Sequence, residues 1–108
     1  MLSSILILLT VCSNNTNNEI IKTIDSPDGK YVAYIFTRDL GATTKVSYQL
    51  SILEAGESLG DSGGNIFISY GSFDVEWSKQ NLLYVKLKEK GDIFKNEKKY
   101  KDIVIEYS

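Results

Sequence analysis

The strongest candidate for specific recognition in this 108-residue sequence is a short polar segment around its single arginine. Arg38 and Asp39 are followed by Gly41, Thr43 and Thr44. A guanidinium can bind a carboxylate or a phosphate through two parallel hydrogen bonds, and loops at strand ends often carry binding residues. We therefore take these five residues as a candidate binding loop. The alternative is structural: Arg38 and Asp39 form a surface ion pair, and Gly41 serves the turn.

Catalytic chemistry is disfavoured by the residue types that are present. The chain has no histidine, which removes the usual general base near neutral pH and a common zinc ligand. The carboxylate pairs Asp25/Asp28 and Asp74/Glu76 are explained by a turn and by the exposed face of a strand. The segment 61–65 lacks the spacing of a calcium-binding loop. The sequence therefore predicts no catalytic residue, no metal site, no cofactor and no enzyme activity.

The charge balance argues against a nucleic-acid partner. The net charge is −2, whereas a surface that binds a duplex needs an excess of lysine and arginine. Seven lysines and four acidic residues lie between Lys86 and Asp102. This run is interpreted as a solvated hairpin face, with contact to anionic lipid headgroups or wall polymers as the alternative.

The amino end carries the one cysteine. Leu2–Val11 is an uncharged apolar run of ten residues, too short to span a bilayer and of the length of a signal-peptide core. Cys12 follows, and then a polar tract of Ser, Asn and Thr. This arrangement resembles a bacterial lipoprotein signal, which implies that Cys12 becomes the lipidated first residue of the mature chain. A buried amino-terminal strand with a free thiol is the alternative.

Beyond this segment the apolar residues recur with a period of two, which is typical of strands with one buried face. This alternation places Val46, Leu50 and Ile52 on a core face and Gln49 and Ser51 on the wet face, and it places Trp77 on the core face with Phe73 and Val75. Tyr31–Phe36 is apolar on both faces and indicates a central strand that is covered on both sides. The predicted strands cover residues 19–24, 30–38, 43–53, 65–70, 73–78, 82–89 and 101–107. Turn residues separate them, above all Pro27-Asp28-Gly29.

We expect an all-β domain over 19–108, preceded by a signal peptide over 1–12 and a polar tether over 13–18. Its antiparallel meander of about seven strands should form a blade-like sheet that curls into a small open barrel or sandwich.

Two resemblances extend this interpretation. The segment 26–34, Ser-Pro-Asp-Gly-Lys-Tyr-Val-Ala-Tyr, resembles the turn and strand of WD40-like, TolB-type propeller repeats, and 77–85 is similar to a degenerate second copy. Residues 26–107 also resemble a family of small lipoproteins of Gram-positive bacteria with a domain of unknown function. The segments that carry this likeness are 26–31, 38–44, 64–67, 75–77 and 94–99. The family implies a lipid anchor and a cell-surface location, and it brings no activity.

The sequence thus predicts a non-catalytic interaction module held at the extracellular face of the cell membrane by an amino-terminal lipid. Its partner is a protein, a peptide or a wall polymer, and the oligomeric state stays open. The alternative function is an immunity- or inhibitor-type lipoprotein that blocks one envelope hydrolase or toxin.

Overall fold

The computed structural model describes residues 18–39, 41 and 45–108, and every regular element in this part of the chain is a β-strand. The nine strands are β1 (Asn18–Asp25), β2 (Tyr31–Arg38), β3 (Ser47–Glu54), β4 (Phe67–Ser69), β5 (Phe73–Lys79), β6 (Leu82–Leu87), β7 (Ile93–Asn96), β8 (Lys99–Tyr100) and β9 (Ile103–Tyr107). The predicted all-β class is confirmed. Cys12, Thr43 and Thr44 lie outside the described residues, as does most of the predicted tether.

The strands form two open sheets. The first has the order β1-β2-β3-β4-β7 and is antiparallel throughout, while the second has the order β5-β6-β9-β8. Strands joined by short turns pair antiparallel, as their sequence spacing predicts. The exception to antiparallel pairing is β6 with β9, which are distant in sequence and run parallel. No closed barrel forms among the described strands, so the fold matches the open or sandwich form of the expectation.

One hydrophobic core holds the two sheets together, because side chains from both contribute to it. Its buried residues are Ala33, Ile35, Leu50, Ile52, Ile66, Phe67, Phe73, Val75, Leu83, Val85, Ile103 and Ile105. Alternate residues of β2, β5, β6 and β9 supply most of this set, which is the period-two pattern of the sequence. Trp77 was predicted to share the core face of β5, and it packs against the core while staying half-buried.

The predicted double coverage of β2 is confirmed. Ile35 belongs to the core between the sheets, and its neighbour Phe36 is completely buried although it lies on the opposite face. The segment 55–66 covers that face: the Tyr34 hydroxyl donates to the Glu57 carbonyl at 3.5 Å, and Arg38 reaches the Asp61 carbonyl. The hydrophobic core therefore covers one face of β2, and the segment 55–66, which is hydrogen-bonded to Tyr34 and Arg38, covers the other.

The prediction for β3 is wrong at its start and on one of its faces. The strand begins at Ser47, and Val46, which was placed on the core face, is 44% exposed. Gln49 and Ser51, which were placed on the wet face, are buried because the segment 55–66 crosses over them. Gly64 N donates to Gln49 Oε1 at 2.6 Å, and Asn65 N donates to Ser51 Oγ at 3.1 Å. Hydrogen bonding to a crossing segment thus compensates the burial of these polar side chains.

Two short strands were missed. β7 has four residues and β8 has two, and both lie in the lysine-rich run that was interpreted as a hairpin face. Neither has an apolar alternation long enough to indicate a strand. β7 exists because β4 supplies its hydrogen-bonding partner, with a bulge between Ile68 and Ser69. This pairing joins segments that are distant in sequence, so no local pattern could predict it.

The sandwich has two ends, which we call the Arg38 end and the Ser26 end. At the Arg38 end lie Asn18, Arg38 and Ser47, which are register partners, together with the adjoining segments 70–72 and 88–92. At the opposite Ser26 end lie the turn 26–30 and Trp77, whose indole nitrogen donates to the Ile24 carbonyl at 3.1 Å. β1 separates these two ends by roughly 20 Å, given the rise per residue of a strand.

Candidate functional site

Arg38 does not pair with Asp39 but joins three separate parts of the chain at the Arg38 end. Its Nη1 donates to Asn18 Oδ1 at 2.6 Å and to the Asp61 carbonyl at 2.9 Å, and it lies 3.6 Å from Asp61 Oδ1. The side chain is only 18% exposed. The charged neighbour of Arg38 is therefore Asp61 and not Asp39.

The rest of the predicted binding loop is described only in part. Asp39 Oδ1 accepts a hydrogen bond from Gly41 N at 3.2 Å, which is the local contact expected of an Asp at a turn. Both residues are exposed. Arg38, Asp39 and Gly41 are thus close in space, while Thr43 and Thr44 are not among the described residues.

A cleft of about 350 Å³ opens beside Arg38. We call it the Arg38 cleft, and it is lined by Arg38, Lys45, Ser47, Gln49, Gly63, Ile68, Tyr70 and Phe94. These residues come from β2, β3, β4, β7 and the connections between them. The sequence singled out Arg38 alone of this set, because the other members lie far apart along the chain. Lys45 follows the predicted loop directly, which is the only local signal that could have added it.

The floor of the cleft is polar and closed by internal hydrogen bonds. Gln49 Nε2 donates to Ser47 Oγ at 2.8 Å, and Ser47 Oγ donates in turn to the Arg38 carbonyl at 3.4 Å. Gln49 Oε1 accepts from Gly64 N, so both ends of the amide are used. Among the described residues no buried side-chain nitrogen or oxygen lacks a partner. The floor is therefore fixed in place, and binding capacity lies with the side chains on the rim.

The rim combines positive charge with aromatic surface. Tyr70 and Phe94 meet edge to face with ring centroids 4.8 Å apart, and Lys45 Nζ lies 5.3 Å from the Tyr70 centroid. Phe94 is 57% exposed, the largest value among the exposed large apolar side chains of the described residues. None of the described residues that line the cleft carries a carboxylate. This set of groups suits a ligand in which a negative charge stands beside an apolar surface.

The other charged groups singled out by the sequence have local roles. Asp74 lies 3.2 Å from Lys22 Nζ, and Glu76 pairs with Lys86. Burial alone would raise the pKa of Asp74, but hydrogen bonds from Val75 N and Lys22 Nζ hold it below its usual value. Glu76, in turn, raises the pKa of Lys86 by accepting its hydrogen bond. These carboxylates take part in ion pairs between strands and are not arranged as an acid–base pair.

The lysine-rich run is dispersed over the surface. Lys86 pairs with Glu76, Lys101 pairs with Glu54, and Lys95 Nζ donates to the Gly64 carbonyl at 3.3 Å. Glu54 also raises the pKa of Lys101 through its hydrogen bond. The run therefore does not form one cationic face in the structure.

In the described part of the chain no group of three or more histidine, cysteine or acidic residues could hold a metal ion. No helix there has the length and apolar character needed to cross a bilayer. Comparisons with family models, with curated proteins and with solved structures find no match to this chain.

Proposed function

We propose that this protein is a lipid-anchored, non-catalytic interaction module of the bacterial cell surface, and that it binds its partner through the Arg38 cleft. The observation that carries the binding part is the cleft itself, where Lys45 and Arg38 adjoin the exposed ring of Phe94. The lining offers hydrogen-bond donors, charge and apolar area. None of the described side chains that line the cleft is a carboxylate, a thiol or an imidazole, the groups that transfer protons near neutral pH.

The sequence supports the anchor. The apolar decapeptide Leu2–Val11, Cys12 and the polar tract after it have the order of a lipoprotein signal. β1 begins at Asn18, six residues after the cysteine, so a lipid on Cys12 would leave a short connection to the first strand. The likeness to small lipoproteins of Gram-positive bacteria points the same way.

The anchor is tested on the full chain expressed in a Gram-positive host. Mass spectrometry of the amino-terminal peptide should show an acylated Cys12 with residues 1–11 removed. A Cys12→Ser variant should leave the membrane fraction, and it serves as the control for lipid attachment. An unmodified thiol with Met1 still present would contradict this part of the proposal.

The binding surface is tested separately by photo-crosslinking in living cells. A photoreactive phenylalanine analogue at position 94 should form adducts with a protein, a lipid or a wall polymer. The same analogue at position 79, which is exposed at the Ser26 end, is the matched control. One stoichiometric protein adduct would indicate the immunity- or inhibitor-type function, and equal labelling from both positions would rule out the cleft as the binding surface.

A further inference from the structure

We infer that the Arg38 end of the domain rests on the membrane that carries the anchor, with an anionic phospholipid as the occupant of the Arg38 cleft. This inference depends on the proposed function, since it names the ligand of the cleft and takes residue 12 as the point of attachment. Three features of the molecule support it.

The first feature is where the chain enters the domain. Asn18, the first residue of β1, is fixed to the Arg38 end by its own side chain: Nδ2 donates to the Ser62 carbonyl at 2.7 Å, and Oδ1 accepts from Arg38. Five residues lie between Cys12 and Asn18, so the two can be at most about 20 Å apart. A lipid on Cys12 thus keeps the Arg38 end close to the headgroups, while the Ser26 end stands farther away by the length of β1.

The second feature is the uneven distribution of exposed apolar side chains. The large hydrophobic residues that are exposed in the described part of the chain are Ile20, Ile21, Val46, Leu87, Ile93, Phe94 and Val104. All but Val104 lie toward the Arg38 end. Ile20 and Ile21 lie on β1 beside Phe36, Val46 lies just before β3, Leu87 ends β6, and Ile93 and Phe94 lie on β7. Val104 pairs with Leu82 at the start of β6, near the Ser26 end. An apolar surface concentrated at the anchored end is what contact with a bilayer interface requires.

The third feature is the chemistry of the rim. Tyrosine, tryptophan and lysine occupy the boundary between headgroups and acyl chains because each has an apolar body and a polar tip, while phenylalanine supplies apolar surface alone. In the cleft, Tyr70 and Phe94 supply the rings, and Lys45 lies over Tyr70. A phospholipid presents a phosphate next to an acyl chain, so Lys45 and Arg38, which both line the cleft, can bind the phosphate while Phe94 contacts the chain.

The native tryptophan makes the orientation measurable. Trp77 is the only tryptophan in the sequence and lies at the Ser26 end. A Trp77→Phe, Phe94→Trp double variant moves the fluorophore to the rim of the cleft. Both full-length proteins are attached to vesicles of phosphatidylglycerol and phosphatidylcholine, with or without bromine near the glycerol end of the acyl chains. Where the host has not acylated Cys12, its thiol, the only one in the chain, is coupled to a maleimide lipid.

The expected result is quenching of the tryptophan at position 94 that is at least about twofold stronger than quenching of the native Trp77, because interfacial aromatic residues reach the quencher. Adding Lys45→Glu to the double variant should lower the quenching, whereas Lys79→Glu at the Ser26 end should not. Equal quenching at both positions, or stronger quenching of Trp77, would overturn the inference. No quenching at position 94 together with a protein adduct in the crosslinking experiment would also overturn it, while leaving the proposed function intact. An unacylated Cys12 combined with strong quenching in the maleimide-coupled protein would refute the anchor alone.

Discussion

The two ends of the sandwich are built in different ways. At the Ser26 end, a turn of five residues holds itself together: Ser26 Oγ donates to Asp28 Oδ1 at 2.8 Å, and Tyr31 N donates to Ser26 Oγ at 3.1 Å. At the Arg38 end, the side chains of Arg38 and Asn18 contact residues that are 20 to 44 positions away in the chain. A local turn is encoded by adjacent residues, whereas the cleft exists only once distant strands of the first sheet have come together. We therefore expect perturbations at the Arg38 end to cost more and to change binding as well.

The largest effect is expected at Gly71, where backbone meets backbone at the Arg38 end. A Cβ placed there would lie 2.2 Å from the Glu89 carbonyl oxygen, so the segments 70–72 and 88–92 would have to separate. Gly71→Ala should lower the free energy of unfolding by about 3 kcal/mol, the upper part of the usual range for overpacking. The free energy of unfolding is measured by urea denaturation, with circular dichroism as the signal.

Two glycines provide the controls for Gly71→Ala. Gly63→Ala meets nothing closer than 3.4 Å and should change stability by less than about 0.5 kcal/mol. Gly29 lies in open space in the Ser26-end turn with a φ of 75°, so Gly29→Ala should cost about 1 kcal/mol from the left-handed backbone alone. If Gly71→Ala were no more destabilising than Gly29→Ala, the two ends would not differ as we describe.

A smaller effect is expected from the arginine that joins three segments. Arg38→Met keeps much of the side-chain volume but removes the hydrogen bonds to Asn18 and to the Asp61 carbonyl. The expected loss is about 2 kcal/mol, since hydrogen bonds to a charged donor contribute about 1.5–3 kcal/mol each before the partners regain water. Lys79→Met, an exposed change at the Ser26 end, is the control and should be near neutral. Equal unfolding midpoints for the two variants would show that Arg38 does not hold the segments together.

The same contrast explains how far the sequence could predict the fold and the site. The turn at Pro27-Asp28-Gly29 and the strands β2, β5, β6 and β9 follow from local residue types and a period of two. The crossing of segment 55–66 over Gln49 and the pairing of β7 with β4 depend on residues brought together from a distance. Arg38 was identified because it is the single arginine. Tyr70 and Phe94 could not be identified, since nothing in their neighbourhood distinguishes a ring on a cleft rim from one in a core.

The smallest expected effect is the pH dependence of the turn at the Ser26 end. Asp28 has a pKa below its usual 3.8 because Ser26 Oγ and Lys30 N donate hydrogen bonds to its carboxylate. A folded-state pKa below the unfolded value means that this stabilisation is complete above about pH 4 and is lost as the pH falls through the folded-state pKa. An Asp28→Ala variant should therefore melt below the native protein at pH 7, and the difference in Tm should shrink as the pH falls toward 2. Lys79→Met, the exposed control at the same end, removes no carboxylate and should not reproduce that trend. A Tm difference that stayed constant with pH would mean that Asp28 acts through its backbone conformation and not through its charge, and the turn would then depend on Ser26 and Gly29 alone.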